Sequence, residues 1–245
     1  MLASIGLADV CVYSRLCVAI FSTGDEVHQQ GKPLPSQGIY DTNRFSLRGM
    51  LEQLGCQVFD LGIIEDNKTS LAKALEDGAD HADCIISSGG VSIGDADYVR
   101  NVLADTGHVD FWRIAMRPGR PFAFGHVKGC PFFGLPGNPV AMMVAFLQLV
   151  QPALRKMMGQ ERWKPLRMKA IAEELLCSRK GRTDYSRGIY RINEQGQLVV
   201  KATGFQGSGL LTSMISANCL IEITDEYECV EVGQSVTIQP FSDLL

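Results

Sequence analysis

Ser87–Tyr98 reads SSGGVSIGDADY, and the apolar run DCIIS, residues 83–87, leads straight into it. Three glycines and two aspartates follow a stretch whose β-branched residues read as a buried strand. A strand-to-helix turn that needs positive φ explains the glycines by themselves. A loop that cradles a phosphate and a divalent cation explains the glycines and the acids together, because converging backbone N–H groups bind the anion and carboxylates share the metal with it. The rest of the chain decides between these readings.

Working outward, the flanking sequence alternates. LCVAIFS (residues 16–22), CQVFDLGII (56–64) and DCIISS (83–88) read as strands. Between them, TNRFSLRGMLEQLGC carries Phe45, Leu47, Leu51 and Leu54 near helical spacing and closes at Gly55. Residues 68–79 place Leu71, Ala74, Leu75 and Ala79 on one helical face. DYVRNVLADTG predicts a short helix, FAFG and PFFGLPG predict two further strands, and residues 138–158 predict a long apolar helix. Strand–helix alternation predicts a parallel sheet covered on both faces, with ligands at the carboxyl ends of its strands. After Gly159 the pattern changes. QERWKPLR reads as a linker, and MKAIAEE, GIYRIN, GQLVVKATG, CLIEITD and QSVTIQPF read as short strands of a small all-β domain.

The totals bound the function. The chain has 245 residues, 46% hydrophobic and 20% charged, with a formal net charge of −4, which disfavours a broad nucleic-acid surface. No run is long enough to span a bilayer and no leader pattern is read, so a cytoplasmic protein without membrane attachment is expected. The eight cysteines form no CxxC pair, and several lie in apolar runs. They are expected to be buried, unpaired thiols in a reducing compartment.

Four loops follow strands at the expected carboxyl edge. STGDE contributes Thr23, Gly24, Asp25 and Glu26. GIIEDN contributes Asp66. SSGGVSIGDAD contributes Ser88, Gly89, Gly90, Ser92, Gly94 and Asp97, with Asp95 a weaker candidate. GLPGNP contributes Pro136, Gly137, Asn138 and Pro139. Each has a bland alternative: Asp97 suits a helix cap, GIIEDN a solvated turn, and Asn138–Pro139 ordinary helix-start chemistry as well as an anion-binding helix N-terminus. DTNR from Asp41 reads as a cap with Asn43 and Arg44 facing the loops. RIAMRPGRPF sets Arg113, Arg117 and Arg120 around a rigid Pro-Gly turn, a local basic patch suited to phosphate. Together these loops point to a phosphorylated, nucleotide-like ligand with a divalent cation, positioned electrostatically.

FSTGDE, QGIYDTNR, LEQLGC, SSGGVSIGDADY, MRPGRPFAFG and GLPGNPV, in that order, resemble the molybdopterin molybdenumtransferase family (MoeA, with the C-terminal region of gephyrin as its eukaryotic relative). The resemblance covers nearly the whole chain. It implies a molybdopterin-binding α/β domain of the three-layer MogA type over residues 16–160 and a small barrel-like domain over 161–245, with residues 1–15 the tail of a preceding part. It implies insertion of molybdate into adenylylated molybdopterin with Mg2+ and release of AMP. Glu26, Asp66 and Asp97 then become the acids of the site, Asp66 and Asp97 its metal ligands, and Pro136 and Pro139 the shapers of their loop. A homodimer and a molybdopterin adenylyltransferase partner are implied too. The family often has lysines where this chain has Arg113, Arg117 and Arg120. Members usually carry two further N-terminal domains that complete the cleft across the dimer, so a shortened chain of low turnover is expected. The alternatives are an adenylyltransferase-like enzyme and a gephyrin-like scaffold module.

Overall fold

The computed structural model describes residues 1–90, 102 and 107–244. The predicted short helix at DYVRNVLADTG lies outside these residues except for Gly107 and a helical Val102. In chain order the first part forms strands β1 (Cys17–Thr23), β2 (Val27–His28), β3 (Ile39–Tyr40), β4 (Gln57–Ile64), β5 (Cys84–Ser88), β6 (Gly107–Arg113), β7 (Met116–Arg117), β8 (Pro121–Val127) and β9 (Cys130–Leu135). Helix α1 spans Asn43–Gln53 and α2 spans Lys68–His81. Helix α3 (Pro139–Ala145) runs through a π-turn at Phe146–Val150 into α4 (Gln151–Met157). Pro152 has no N–H to give the carbonyl one turn back, which accounts for the loosened turn before it.

The main sheet has the order β4-β1-β5-β9-β8-β6. The first four strands are parallel. β5 is buried at every position, as expected of a strand covered on both faces. The last two strands depart from the all-parallel expectation. Val127 and Cys130 are paired across a two-residue turn in which Lys128 and Gly129 have φ 49° and 85°, and so tight a turn can only return antiparallel.

Leu47, Met50 and Leu51 of α1 pack with the α3–α4 helix on one face, while Leu71 and Leu75 of α2 cover the other. Gly78 lets α2 settle onto the sheet, since a Cβ there would sit 3.1 Å from Ile85 and 3.3 Å from Ala19. Phe45, expected on the inner face of α1, is 54% exposed. It lies two residues, about 200° of helical turn, from Leu47, and Arg44 covers its ring from 5.1 Å.

The second part forms β10 (Met168–Ala172), β11 (Leu176–Cys177), β12 (Thr183–Ile192), β13 (Leu198–Ala202), β14 (Cys219–Ile223), β15 (Cys229–Val230) and β16 (Ser235–Pro240), with short helices α5 (Thr212–Ile215) and α6 (Phe241–Leu244). Five strands close in the order β13-β10-β16-β14-β12, and β12 pairs again with β13. The ten residues of β12 let it serve both neighbours, and the interior fills with Ala170, Val200, Ile221, Val236 and Ile238. β7 adds to β12 in parallel, so the barrel is hydrogen-bonded to the first part.

The cysteine expectation needs correction. Cys177 and Cys229 are register partners on β11 and β15, 4.1 Å apart at Cα, and form a disulfide. Their separation of 52 residues leaves no local spacing to read. Cys56, Cys84, Cys130 and Cys219 are buried free thiols as expected, whereas Cys11 is exposed. No helix among the described residues is long and apolar enough to cross a membrane.

Candidate functional site

The parallel register sets Ser22 at the end of β1 beside Ser88 at the end of β5. Both are buried and both border a cleft of about 330 Å3. Each strand then turns sharply on glycine, with φ 137° at Gly24, 94° at Gly89 and 69° at Gly90. At Gly89 no other residue fits, because a Cβ would lie 2.4 Å from the Thr23 carbonyl oxygen. Thr23, Gly24 and Glu26 line the cleft on one side and Ser88, Gly89 and Gly90 on another. Pro136, Gly137, Asn138 and Pro139 close a third, and Asp66, at the exit of β4, completes the ring. The edge predicted from four separate loops is thus one concave surface.

The floor is a hydrogen-bonded knot of buried polar residues. Asp41, 3% exposed, accepts from Ser22 Oγ at 3.0 Å, Arg44 N at 3.2 Å and Arg44 Nε at 2.9 Å. It caps α1 and neutralises Arg44, whose Nη1 also reaches Asp60 Oδ2 at 2.6 Å. Asn43 Nδ2 donates to Ser88 Oγ at 2.7 Å and to the Gly137 carbonyl at 2.6 Å. Asn43 Oδ1 is buried and has no partner among the described residues. β2 and β3 lean over one rim and add Val27, Ile39 and Tyr40. Sequence reading flagged Asn43 and Arg44 only as facing the loops and missed the apolar rim, since two-residue strands carry no alternation to detect.

The helix-start reading of GLPGNP is altered. Asn138 occupies the N-cap position but makes no capping bond to α3. Its Nδ2 donates instead to Ser208 Oγ at 3.1 Å, and Val140 N donates to the Ser208 carbonyl at 3.0 Å. Pro139 has no N–H, so the start of α3 is closed by a loop from the barrel and is not an open anion site. Arg187 anchors that loop. It is 1% exposed, its Nη2 donates to the Gly207 carbonyl at 3.2 Å, its Nε donates to Ser213 Oγ at 3.1 Å, and its backbone N donates to Gln206 Oε1 at 2.8 Å. Burial lowers its pKa to about 10, against the upward pull of Asp184.

Other predicted residues fall elsewhere. Asp25 is exposed and does not line the cleft. Arg113, Arg117 and Arg120 are exposed and do not line it either, although the adjacent Pro121 does. Arg117 reaches Asp184 at 3.5 Å across the β7–β12 junction. Ser92, Gly94, Asp95 and Asp97 lie outside the described residues. Among the described residues no three His, Cys, Asp or Glu side chains cluster to cage an ion.

With this geometry in view, comparison with known proteins is direct. Residues 19–156 match the family profile described as "Probable molybdopterin binding domain", which makes the first part a domain of that class. Residues 169–241 match "MoeA C-terminal region (domain IV)", and the chain belongs to the MoeA family. It is 49% identical over 246 residues to the molybdopterin molybdenumtransferase of Haemophilus influenzae, covering 100% of this chain and 61% of that protein. It is 35% identical to the Nostoc molybdopterin molybdenumtransferase, covering 97% of this chain and 56% of that protein. A crystal structure of a MoeA protein from Pyrococcus horikosii superposes with a TM-score of 0.80 at 31% identity, over 98% of this chain and 58% of that one. The chain therefore spans about three-fifths of the length of these relatives.

Proposed function

We propose that this chain carries the ligand cleft of a molybdopterin molybdenumtransferase, a transferase of molybdenum cofactor biosynthesis that inserts molybdate into adenylylated molybdopterin and releases AMP. The observation that carries the reading is the convergence of four strand-exit loops on one cleft, in a chain 49% identical along its whole length to a protein of that name. The barrel favours it over an adenylyltransferase-like enzyme, because the barrel region matches the MoeA C-terminal region. The division at residues 160/161, with 1–15 preceding the α/β domain, belongs to the same proposal.

In this reading Ser88 and the strand-exit backbone at Gly24 and Gly90 hold the phosphates of the ligand, the Gly89 N–H being spent on the Leu135 carbonyl, and Pro136 and Pro139 keep the opposing loop rigid. Ser92 and Gly94, outside the described residues, are proposed as further ligand contacts. Asp66 on the cleft suits magnesium, which usually takes one or two carboxylates together with substrate phosphate, and Glu26 on the same cleft is a proposed catalytic acid. Asp66 and Asp97 are the proposed metal ligands, and the bound ion would neutralise charge developing on the phosphoryl oxygens. Arg113, Arg117 and Arg120 supply the positive field that draws an anionic ligand to an acidic protein. A cytoplasmic homodimer, supplied by a molybdopterin adenylyltransferase, completes the proposal.

The test has two parts. Calorimetric titration is expected to show saturable AMP binding that strengthens with Mg2+ and loses that Mg2+ dependence in Asp66→Asn. AMP release from adenylylated molybdopterin is expected to require molybdate. Absence of AMP binding under all conditions would remove the cleft reading.

A further inference from the structure

Ser22 and Ser88 are neighbours in the β1–β5 register, yet their hydroxyls are committed in opposite senses. Ser22 Oγ is 3.0 Å from Asp41 Oδ1. Asp41 also accepts two N–H groups of Arg44, so its carboxylate is the acceptor and Ser22 gives up its single proton. Ser22 therefore turns only lone pairs toward the cleft, and lone pairs repel an anionic oxygen.

Ser88 is the reverse case. The side-chain amide of Asn43 faces both Ser88 Oγ and the Gly137 carbonyl. A carbonyl oxygen only accepts, so the atom facing it must be the NH2 group, and this fixes the orientation of the amide. Ser88 Oγ then accepts from Asn43 and its own proton has no acceptor among the described residues. The Gly137 carbonyl thus holds Asn43 in the orientation that makes Ser88 Oγ an acceptor, while Asn43 Oδ1 is buried without a partner among the described residues.

We infer that Ser88 donates a hydrogen bond to a phosphate oxygen of the ligand, and that Asn43 is the positioning residue that makes it a donor by occupying its lone pair and tying it to the Gly137 loop. The inference rests on the reading of the cleft as a phosphorylated-ligand site, and it deepens that reading by placing the phosphate on the β5 side. An O–H donated to a charged oxygen is among the stronger hydrogen bonds, so its removal is readable in affinity. A phosphate ester and free phosphate share this chemistry, and titrating both separates them.

The experiment titrates AMP, inorganic phosphate and adenosine into the full chain and into Ser88→Ala, Ser88→Cys, Asn43→Leu and the double variant Asn43→Leu/Ser88→Ala. AMP affinity should fall roughly tenfold in Ser88→Ala, as for one hydrogen bond to a charged oxygen, while adenosine affinity holds. Retained phosphate affinity with weakened AMP would overturn the inference. Asn43→Leu should weaken AMP binding in the parent and add nothing in the Ser88→Ala background, since it acts through Ser88. Fully additive losses, or equal losses for adenosine and AMP, would overturn it by reducing Asn43 to a structural role. If Asn43→Leu fails to fold, Ser88→Cys decides: its thiol keeps the volume but is a weak donor, and unchanged AMP affinity would overturn the inference. A parent chain that binds AMP with no effect from Ser88 refutes the inference alone. A parent chain that binds neither AMP nor phosphate refutes the cleft reading with it.

Discussion

Gly89 and Gly55 both have positive φ, 94° and 84°, but only one of them sits against another backbone. A methyl group at Gly55 meets nothing within 4 Å, so Gly55→Ala should cost only the left-handed conformation, about 1 kcal/mol. The same change at Gly89 drives a carbon to 2.4 Å from the Thr23 carbonyl and must push the β1 and β5 exits apart. Gly89→Ala should therefore lose roughly 2–3 kcal/mol by urea denaturation and also lose AMP binding, whereas Gly55→Ala binds AMP as the parent does. Equal effects of the two changes would show that the strand exits do not need close approach. The glycines were legible in the sequence because a cluster of them after an apolar run has few explanations. The partners of Asn43 were not, because Ser88 and Gly137 lie 45 and 94 residues away and a short amide gives no hint of whom it joins.

Strands β1, β4, β5 and β9, the helices covering them and the five barrel strands are all readable from apolar period and turn residues. The antiparallel return of β8 is set by the local Lys128-Gly129 turn, whereas what escaped reading because it depends on pairing across distance is the place of β6, the closure of the barrel through β12, and the Cys177–Cys229 link. Each is decided by register between segments, and no single segment carries register. The link closes a loop of 52 residues that includes β12, β13 and β14. Chain-entropy reasoning assigns such a loop up to about 4 kcal/mol of stabilisation. Dithiothreitol should therefore lower the urea midpoint of the protein, and Cys177→Ser should have the lower midpoint with or without the reductant. A midpoint indifferent to both would mean that the strap from β11 to β15 is held by its other contacts alone.

On the scale of the whole molecule, buried acids dominate the alkaline response. Burial holds the Cys84 thiol well above its usual range, Cys130 up to about 11 and Cys219 up to about 12, and desolvation raises Tyr185 to about 12. Unfolded, the thiols release protons near pH 9 and the phenol near pH 10. The folded state thus binds more protons between pH 9 and 12, and stability falls as pH rises through that window. Arg187 works the other way, because its lowered pKa returns stability above about pH 10, but it is one group against these four and the likewise raised Cys17 and Cys56. Urea midpoints should be level below pH 9 and decline above it, with a shallower decline in Cys219→Ala. A flat profile to pH 11 would show that these groups are hydrated in the folded protein.

The bond from Asn138 to Ser208 has a bearing on how the chain can be divided. Two family profiles split the sequence between residues 156 and 169, and a gene could be cut there. The fold offers no matching seam, since the first turn of α3 borrows its closing groups from the far side of that cut, and β7 lends its hydrogen bonds across it as well. Expressed alone, the first part would show water a proline-led helix start with Val140 N–H unsatisfied, beside the loop that forms one wall of the cleft. What looks like two interchangeable modules in the gene is joined behind Asn138, one wall of the cleft, by material from both.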